Sequence, residues 1–380
     1  MAVDGVGSLS ALRTLAADAT QVSEERIEAF LRARGVGSEG EISVRFTNGN
    51  LAAGASGGTL MFDLHTKSDG GEKVEQFVLR FDLGRDGIFS QVSLDDQFAI
   101  MRALHAAGLP VPDARWLDRQ GEIVEGADSL VMGRIEALTP TIQYLQMGPY
   151  ADATQAERDK MVSEIMRFAA RLHSVSASGL NIASLDARGS GQGDYFIDRE
   201  ITWAQRELHA RFPEVEECER AELHTEMRCT LDAAALVLRR RAPQGLEPTV
   251  CHGDLTFANA MFDPDRELVA MLDWELCHHG LPAQDVSYFL SAARVIASLG
   301  STKADPPDRE LAVAAYEAAG GTIDHWDYAA ALSTFRLATW GAIGMRRMPR
   351  AHWDGQRLMW ELQKSELLAA LAVIGETVEG

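Results

Sequence analysis

One change of texture governs what this chain can fold into. From residue 42 to 82, short runs such as ISVRF, GTLMFDLH and QFVLRFD alternate apolar with polar positions or are rich in β-branched residues, with Gly- and Asp-rich turns between them. Alternation with a period of two points successive side chains to opposite faces, the pattern of an antiparallel sheet. A helical stretch over 94–107, carrying Phe98, Met101 and Leu104, stops at Gly108, and LPVPDARWL and DSLVMGRI then read as two further strands, giving five in all. After residue 137 the spacing becomes helical: 158–173, 196–209, 218–240, 282–298, 309–319, 328–345 and 355–373 are predicted helices. The expected class is therefore α+β, with a small antiparallel-sheet lobe over 1–135 and a mainly helical lobe over 136–380. Ahead of the sheet, Ser23 is placed to cap a helix through Ile27, Phe30 and Leu31 that ends before Gly35; Arg26 stands where a capping box would have Glu or Gln.

A 380-residue chain with 46% hydrophobic residues can bury one large core or two modest ones. No run approaches the eighteen apolar residues of a membrane span, and MAVDGVGSLS lacks the basic start and apolar stretch of a signal peptide, so a cytoplasmic location with no membrane partner is expected. Fifty-six acidic against 36 basic residues give a net charge of -20, which repels nucleic acid. Cys218, Cys229, Cys251 and Cys277 show no CxxC spacing and read as reduced core thiols. Ten carboxylates against four arginines over 194–226 suggest a solvated helical face or a rim that attracts a cation.

One island interrupts the helical half. Over 248–276, two apolar runs, PTVCH and LVAMLDW, flank polar turn-forming sequence, so their polar ends should be carried into a cleft. The island reads His252-Gly253-Asp254, with Asn259 five residues after Asp254, then Asp273-Trp274-Glu275. Phosphoryl transfer needs a carboxylate to orient and deprotonate a hydroxyl, and oxygen ligands for magnesium; Asp254, Asn259 and Asp273 supply such a set. HGDxxxxN followed by DWE resembles the aminoglycoside phosphotransferase family, relatives of protein kinases. The resemblance implies a two-lobed protein-kinase-like fold, ATP and Mg²⁺ as cofactors, Asp254 as catalytic base, and Asn259 and Asp273 as magnesium ligands. It also implies that Asp285 holds the catalytic loop's backbone.

The small lobe follows the same order. The Gly-rich stretch around Ser56 and Gly57 would bring backbone N–H groups to phosphates, and Arg80 on FVLRFD stands where the family usually has Lys. A guanidinium can grip phosphate oxygens in a bidentate way. Its helix partner would be an aspartate of Asp95-Asp96 or Gln97. Val131 to Ile135 resembles the hinge, with Met132 and Arg134 beside adenine. YFIDREITW resembles an insertion over the acceptor, making Arg199 and Trp203 substrate-side candidates, with Glu275 of the DWE motif a third, although core packing accounts for Trp203 equally well.

Arg80 and the wording of both motifs resemble most closely the branch of acyl-CoA dehydrogenase-associated kinases. That implies a γ-phosphate transfer to a hydroxyl of a hydroxyacyl-CoA or similar metabolite, hydroxylated aromatics being a further choice; the alternatives are an aminoglycoside phosphotransferase and a catalytically dead kinase-fold binding protein. Eleven residues between Asp273 and Asp285 leave no room for a protein kinase's peptide-docking segment. A two-histidine, one-carboxylate iron site from His252, Asp254 and His278 or His279 is the competing metal reading.

Overall fold

The computed structural model describes residues 22–37, 40–47, 52–53, 57–68, 70–82, 89, 93–176, 195–212, 221–346 and 353–375. The chain divides into two compact units, one of Met1–Arg102 with Pro112–Glu136, the other of Ala103–Val111 with Ala137–Gly380.

In the first unit, α1 (Glu24–Ala33) begins where the Ser23 hydroxyl accepts from the Arg26 N–H at 3.2 Å. Arg26 has a different task from a capping-box glutamate. Its Nε and Nη2 donate to the carbonyls of Ile123 and Gly121 at 3.0 and 2.7 Å, stitching the helix to a hairpin. Six antiparallel strands follow: β1 (Glu41–Phe46), β2 (Ala52–Ala53), β3 (Gly57–Ser68), β4 (Gly71–Asp82), β5 (Ala114–Asp118) and β6 (Ser129–Gly133). Their order is β1-β3-β4-β6-β5, with β2 on β3; the strand beyond the five expected is the two-residue β2. Period two is visible in the core: Phe62 and Leu64 of β3, and Phe77, Leu79 and Phe81 of β4, point inward with Ile27, Phe30 and Leu31 of α1. Phe62 pairs with Phe77 across the ladder and their rings stack at 5.5 Å.

Helix α2 (Leu94–Ala106) ends at Gly108, whose φ of +77° suits glycine. The second unit then holds α3 (Gln155–His173), α4 (Phe196–Arg211), α5 (Ala221–Arg241), α6 (Pro282–Ser298), α7 (Arg309–Ala318), α8 (Trp326–Arg346) and α9 (Trp353–Val373). Thr154 and Glu157 form a reciprocal capping box at the start of α3. Helix α8 packs against α5, α6 and α9 and is apolar nearly all round, as a helix enclosed by others must be. Among the described residues no helix is long and apolar enough to cross a membrane.

The island is built more finely than its sequence suggests. Four short strands, β7 (Thr249–Cys251), β8 (Ala260–Phe262), β9 (Leu268–Met271) and β10 (His278–Gly280), form two antiparallel pairs, β7 with β10 and β8 with β9. Cys251 and Cys277 are buried, whereas Cys229 is exposed, which corrects the expectation of a core thiol there; Cys218 lies outside the described residues.

Candidate active site

Strand β7 delivers the chain to His252, Gly253 and Asp254. Gly253 has φ +84°, and a Cβ on it would lie 2.1 Å from the Leu276 carbonyl oxygen and 2.9 Å from Arg336 Nη2. Only glycine fits. Asp285, in the first turn of α6, holds this turn from behind: its Oδ2 accepts from the His252 N–H at 2.7 Å and its Oδ1 from the Gly253 N–H at 2.9 Å. His173 Nε2 pairs with the same carboxylate at 3.1 Å, and His173 Nδ1 with the Tyr316 hydroxyl at 2.7 Å. Burial alone would raise the Asp285 carboxyl, but the His173 hydrogen bond, the nearby imidazoles and the Gly253 N–H hold it far below the usual carboxylate range.

Asp254 is half-buried beyond this turn. Asn259 Nδ2 donates to its Oδ2 at 2.8 Å and to its backbone oxygen at 2.9 Å, which fixes the carboxylate and leaves the amide oxygen of Asn259 turned elsewhere. Enclosure by protein, and secondly the charge of Asp273, push the Asp254 carboxyl above its ordinary range. Asp273 itself has φ +62° and ψ +67°, a left-handed backbone in a residue other than glycine, and it opens a single 3₁₀ turn, Trp274–Leu276. The Leu272 N–H donates to the Asn259 carbonyl at 2.7 Å, so the segments bearing Asn259 and Asp273 are tied together. Two carboxylates and an amide oxygen are hard donors, and the mutual repulsion of the carboxylates is what a dication would relieve; this donor set fits magnesium.

The iron reading does not survive this geometry. His252 Nε2 donates to the Leu272 carbonyl at 2.8 Å and its Nδ1 accepts from the Asp254 N–H at 3.2 Å, while His278 Nδ1 donates to Leu276 O at 3.0 Å and its Nε2 accepts from Arg336 Nη1 at 3.0 Å. His278 and His279 are both buried in β10. Among the described residues one further group, His173, Cys251 and Asp285, has metal-ligand proximity, and both nitrogens of its histidine are already hydrogen-bonded.

The remaining candidates are more dispersed. Ser56 lies outside the described residues, and Gly57 opens β3, paired with Asp82. Gly58 has a packing reason for being glycine, since a Cβ there would meet the Phe81 ring at 2.3 Å. Arg80 is half-buried on β4 between Thr59 and Leu130. Asp95 pairs with Arg119, and Gln97 is buried. Met132 sits on β6 opposite Val78, and the Arg134 N–H donates to Gln76 O at 2.9 Å. Glu275 is buried in the turn after Asp273, and Arg199 is half-buried on α4. Trp203 is 1% exposed with its indole edge-on to Trp340, so core packing, not substrate contact, is what the structure gives it. The acidic stretch is also partly spent inside: Asp198 pairs with Arg239, Glu200 with Arg336 and Glu226 with Lys364, and Glu207 is fully buried.

Sequence reasoning missed Arg336 and Glu200. The signal was present as a lone arginine in the apolar run ALSTFRLATWGAIGM, a charge that must find a buried partner.

The sequence profile described as the phosphotransferase enzyme family matches residues 61–332, across both units. The chain belongs to that family. Mouse acyl-CoA dehydrogenase family member 10 is 28% identical to this phosphotransferase-family chain over 278 residues, which are 69% of it and 24% of the mouse protein, so the chain spans about a quarter of that relative's length. A Ralstonia eutropha protein provisionally described as an aminoglycoside phosphotransferase superposes with TM-score 0.64 at 20% identity, covering 93% of this chain and 99% of the other. An aminoglycoside phosphotransferase in ternary complex with AMP-PNP and hygromycin B superposes with TM-score 0.52 at 15% identity, covering 92% and 99%. The fold is the two-lobed, protein-kinase-like α+β fold of these phosphotransferases.

Proposed function

We propose that this phosphotransferase-family chain is an ATP-dependent small-molecule kinase that moves the γ-phosphate to a hydroxyl of a metabolite such as a hydroxyacyl-CoA or a hydroxylated aromatic. The observation that carries the reading is the Asp254 carboxylate, oriented by Asn259 on a turn fixed by Asp285, with its proton affinity raised beside Asp273. In this reading Asp254 aligns the acceptor hydroxyl and takes its proton as the O–P bond forms and the bond to ADP breaks. Its raised pKa suits a base that must hold that proton. Asp273 and the amide oxygen of Asn259 would hold magnesium, which supplies neutralisation of the phosphate oxygens. The backbone near Ser56 and Gly57 and the Arg80 guanidinium would meet the phosphates, and the backbone of Met132 and Arg134 the adenine. Arg199 and Glu275 remain the acceptor-side candidates.

A hydroxyacyl-CoA acceptor is favoured by the likeness to an acyl-CoA dehydrogenase family member. A polycationic antibiotic finds less support, because Asp198, Glu200 and Glu226 are already ion-paired and Glu207 is enclosed. The test is Mg-dependent ADP release against hydroxyacyl-CoA compounds, hydroxylated aromatics and aminoglycosides, with Asp254→Ala as control. Acceptor-dependent release that falls about 10³-fold in the variant is expected, with ATP binding retained. ATP binding without turnover on any acceptor would favour a binding-only protein.

A further inference from the structure

Arg336 lies in the middle of α8 and is 1% exposed. Its Nη1 is ion-paired with the Glu200 carboxylate of α4 and lies 3.0 Å from His278 Nε2 on β10. Its Nη2 turns the other way and donates to the carbonyl oxygen of Gly253 at 2.9 Å. That carbonyl belongs to the peptide joining Gly253 to Asp254. The peptide on the other side of Gly253 is held through its N–H by Asp285. Both peptide planes that meet at the Gly253 Cα are thus gripped by buried side chains of opposite charge, one from α8 and one from α6.

Leu276 closes the box: its carbonyl oxygen stands 2.1 Å from where a Gly253 Cβ would be. A guanidinium is planar and rigid, so the position of its Glu200-facing nitrogen fixes that of its loop-facing nitrogen. An ion pair placed only for stability would not need its second nitrogen aimed at the one carbonyl that sets where the next residue, Asp254, points.

We propose that Arg336 is a positioning residue for the phosphotransfer loop: braced by Glu200 and His278, it sets the Gly253–Asp254 peptide plane and with it the direction of the Asp254 carboxylate. The inference rests on the kinase reading given above. Displacement of a reacting group by about 1 Å can cost on the order of 10²-fold in rate, which sets the scale of the expected effect.

Arg336→Met alone leaves Glu200 buried without its partner and can fail to fold, so the deciding variant is Arg336→Met with Glu200→Met, which removes both charges at similar volume. Its thermal midpoint, its kcat and KM for ADP release from Mg-ATP with water as acceptor, and hydrogen exchange of the amides over 252–259 are compared with the unsubstituted protein. A folded double variant with kcat lowered 10- to 100-fold, KM for ATP within about threefold, and faster exchange confined to that loop is the expected result. Arg336→Lys, which keeps the charge and loses the two-sided reach, should fold and show the same fall in kcat. Full kcat in either folded variant, or unchanged loop exchange, would overturn the proposal. Absence of ADP release from the unsubstituted protein with water and with every acceptor class named above would defeat the kinase reading instead, and loop exchange would then decide by itself whether Arg336 holds the turn.

Discussion

The two units bury different things. In the first, the described interior is almost wholly apolar, with Gln97, Asp118 and Ser129 its buried polar side chains. In the second, the surroundings of the 252–259 loop enclose His173, Glu200, His252, Glu275, His278, Asp285 and Arg336. A sheet defines its own shape through ladder hydrogen bonds and alternation, so hydrophobic burial suffices to hold it. A short irregular loop has no ladder, and its backbone groups must be met by side chains that are themselves anchored. The sheet should tolerate change and the loop should not.

The largest expected effect is on the loop. Asp285→Ala strands two buried N–H groups and the His173 contact, and should cost about 3–5 kcal/mol in denaturant unfolding while lowering ADP release more than about 100-fold. Leu79→Ala in β4 should cost about 2–5 kcal/mol but leave kcat per folded molecule unchanged; a fall in kcat there would break the contrast. Acid sharpens it. Burial, the largest cause, and the Arg336 charge lower the His278 pKa from 6.5 to about 4 against the opposing pull of Glu200 and Asp285. A folded pKa below the unfolded one means stability that is present above pH 6.5 and lost as pH falls toward about 4, on the order of 3 kcal/mol. Asp285, also depressed, keeps its contribution until the pH falls below 3.8, so its loss comes later. Unfolding of the protein and of His278→Gln across pH 7 to 4 should show the earlier loss only in the former. Smallest is Tyr144→Phe: the buried hydroxyl has no hydrogen-bond partner among the described residues, so its removal should leave the thermal midpoint equal or slightly raised.

Much of this was legible in the chain. The sheet strands announced themselves by alternation, α6 was bounded at Pro282 and Ser298 by its own sequence, and the spacing of Asp254, Asn259 and Asp273 named the loop. The role of Asp285 behind the turn could be expected from resemblance, and its two N–H contacts bear that out. What stayed hidden depended on long-range pairing. His278 and His279 lack any local mark of burial, since β10 exists only because it pairs with β7, Cys251 standing against His278 across 27 positions of sequence. Arg336 and Glu200 lie 136 positions apart, beyond what periodicity can connect. The acidic stretch misled for the same reason, because a carboxylate's partner on a distant helix is invisible to a local charge count.

Asp273 carries one more consequence. Its left-handed backbone costs roughly 1 kcal/mol that glycine would not incur, and its charge opposes that of Asp254. Asp273→Gly should therefore melt higher and, in the proposed reading, bind Mg-ATP poorly. Breeding this protein for heat resistance alone would select against its own chemistry, and any such screen needs turnover as a second gate.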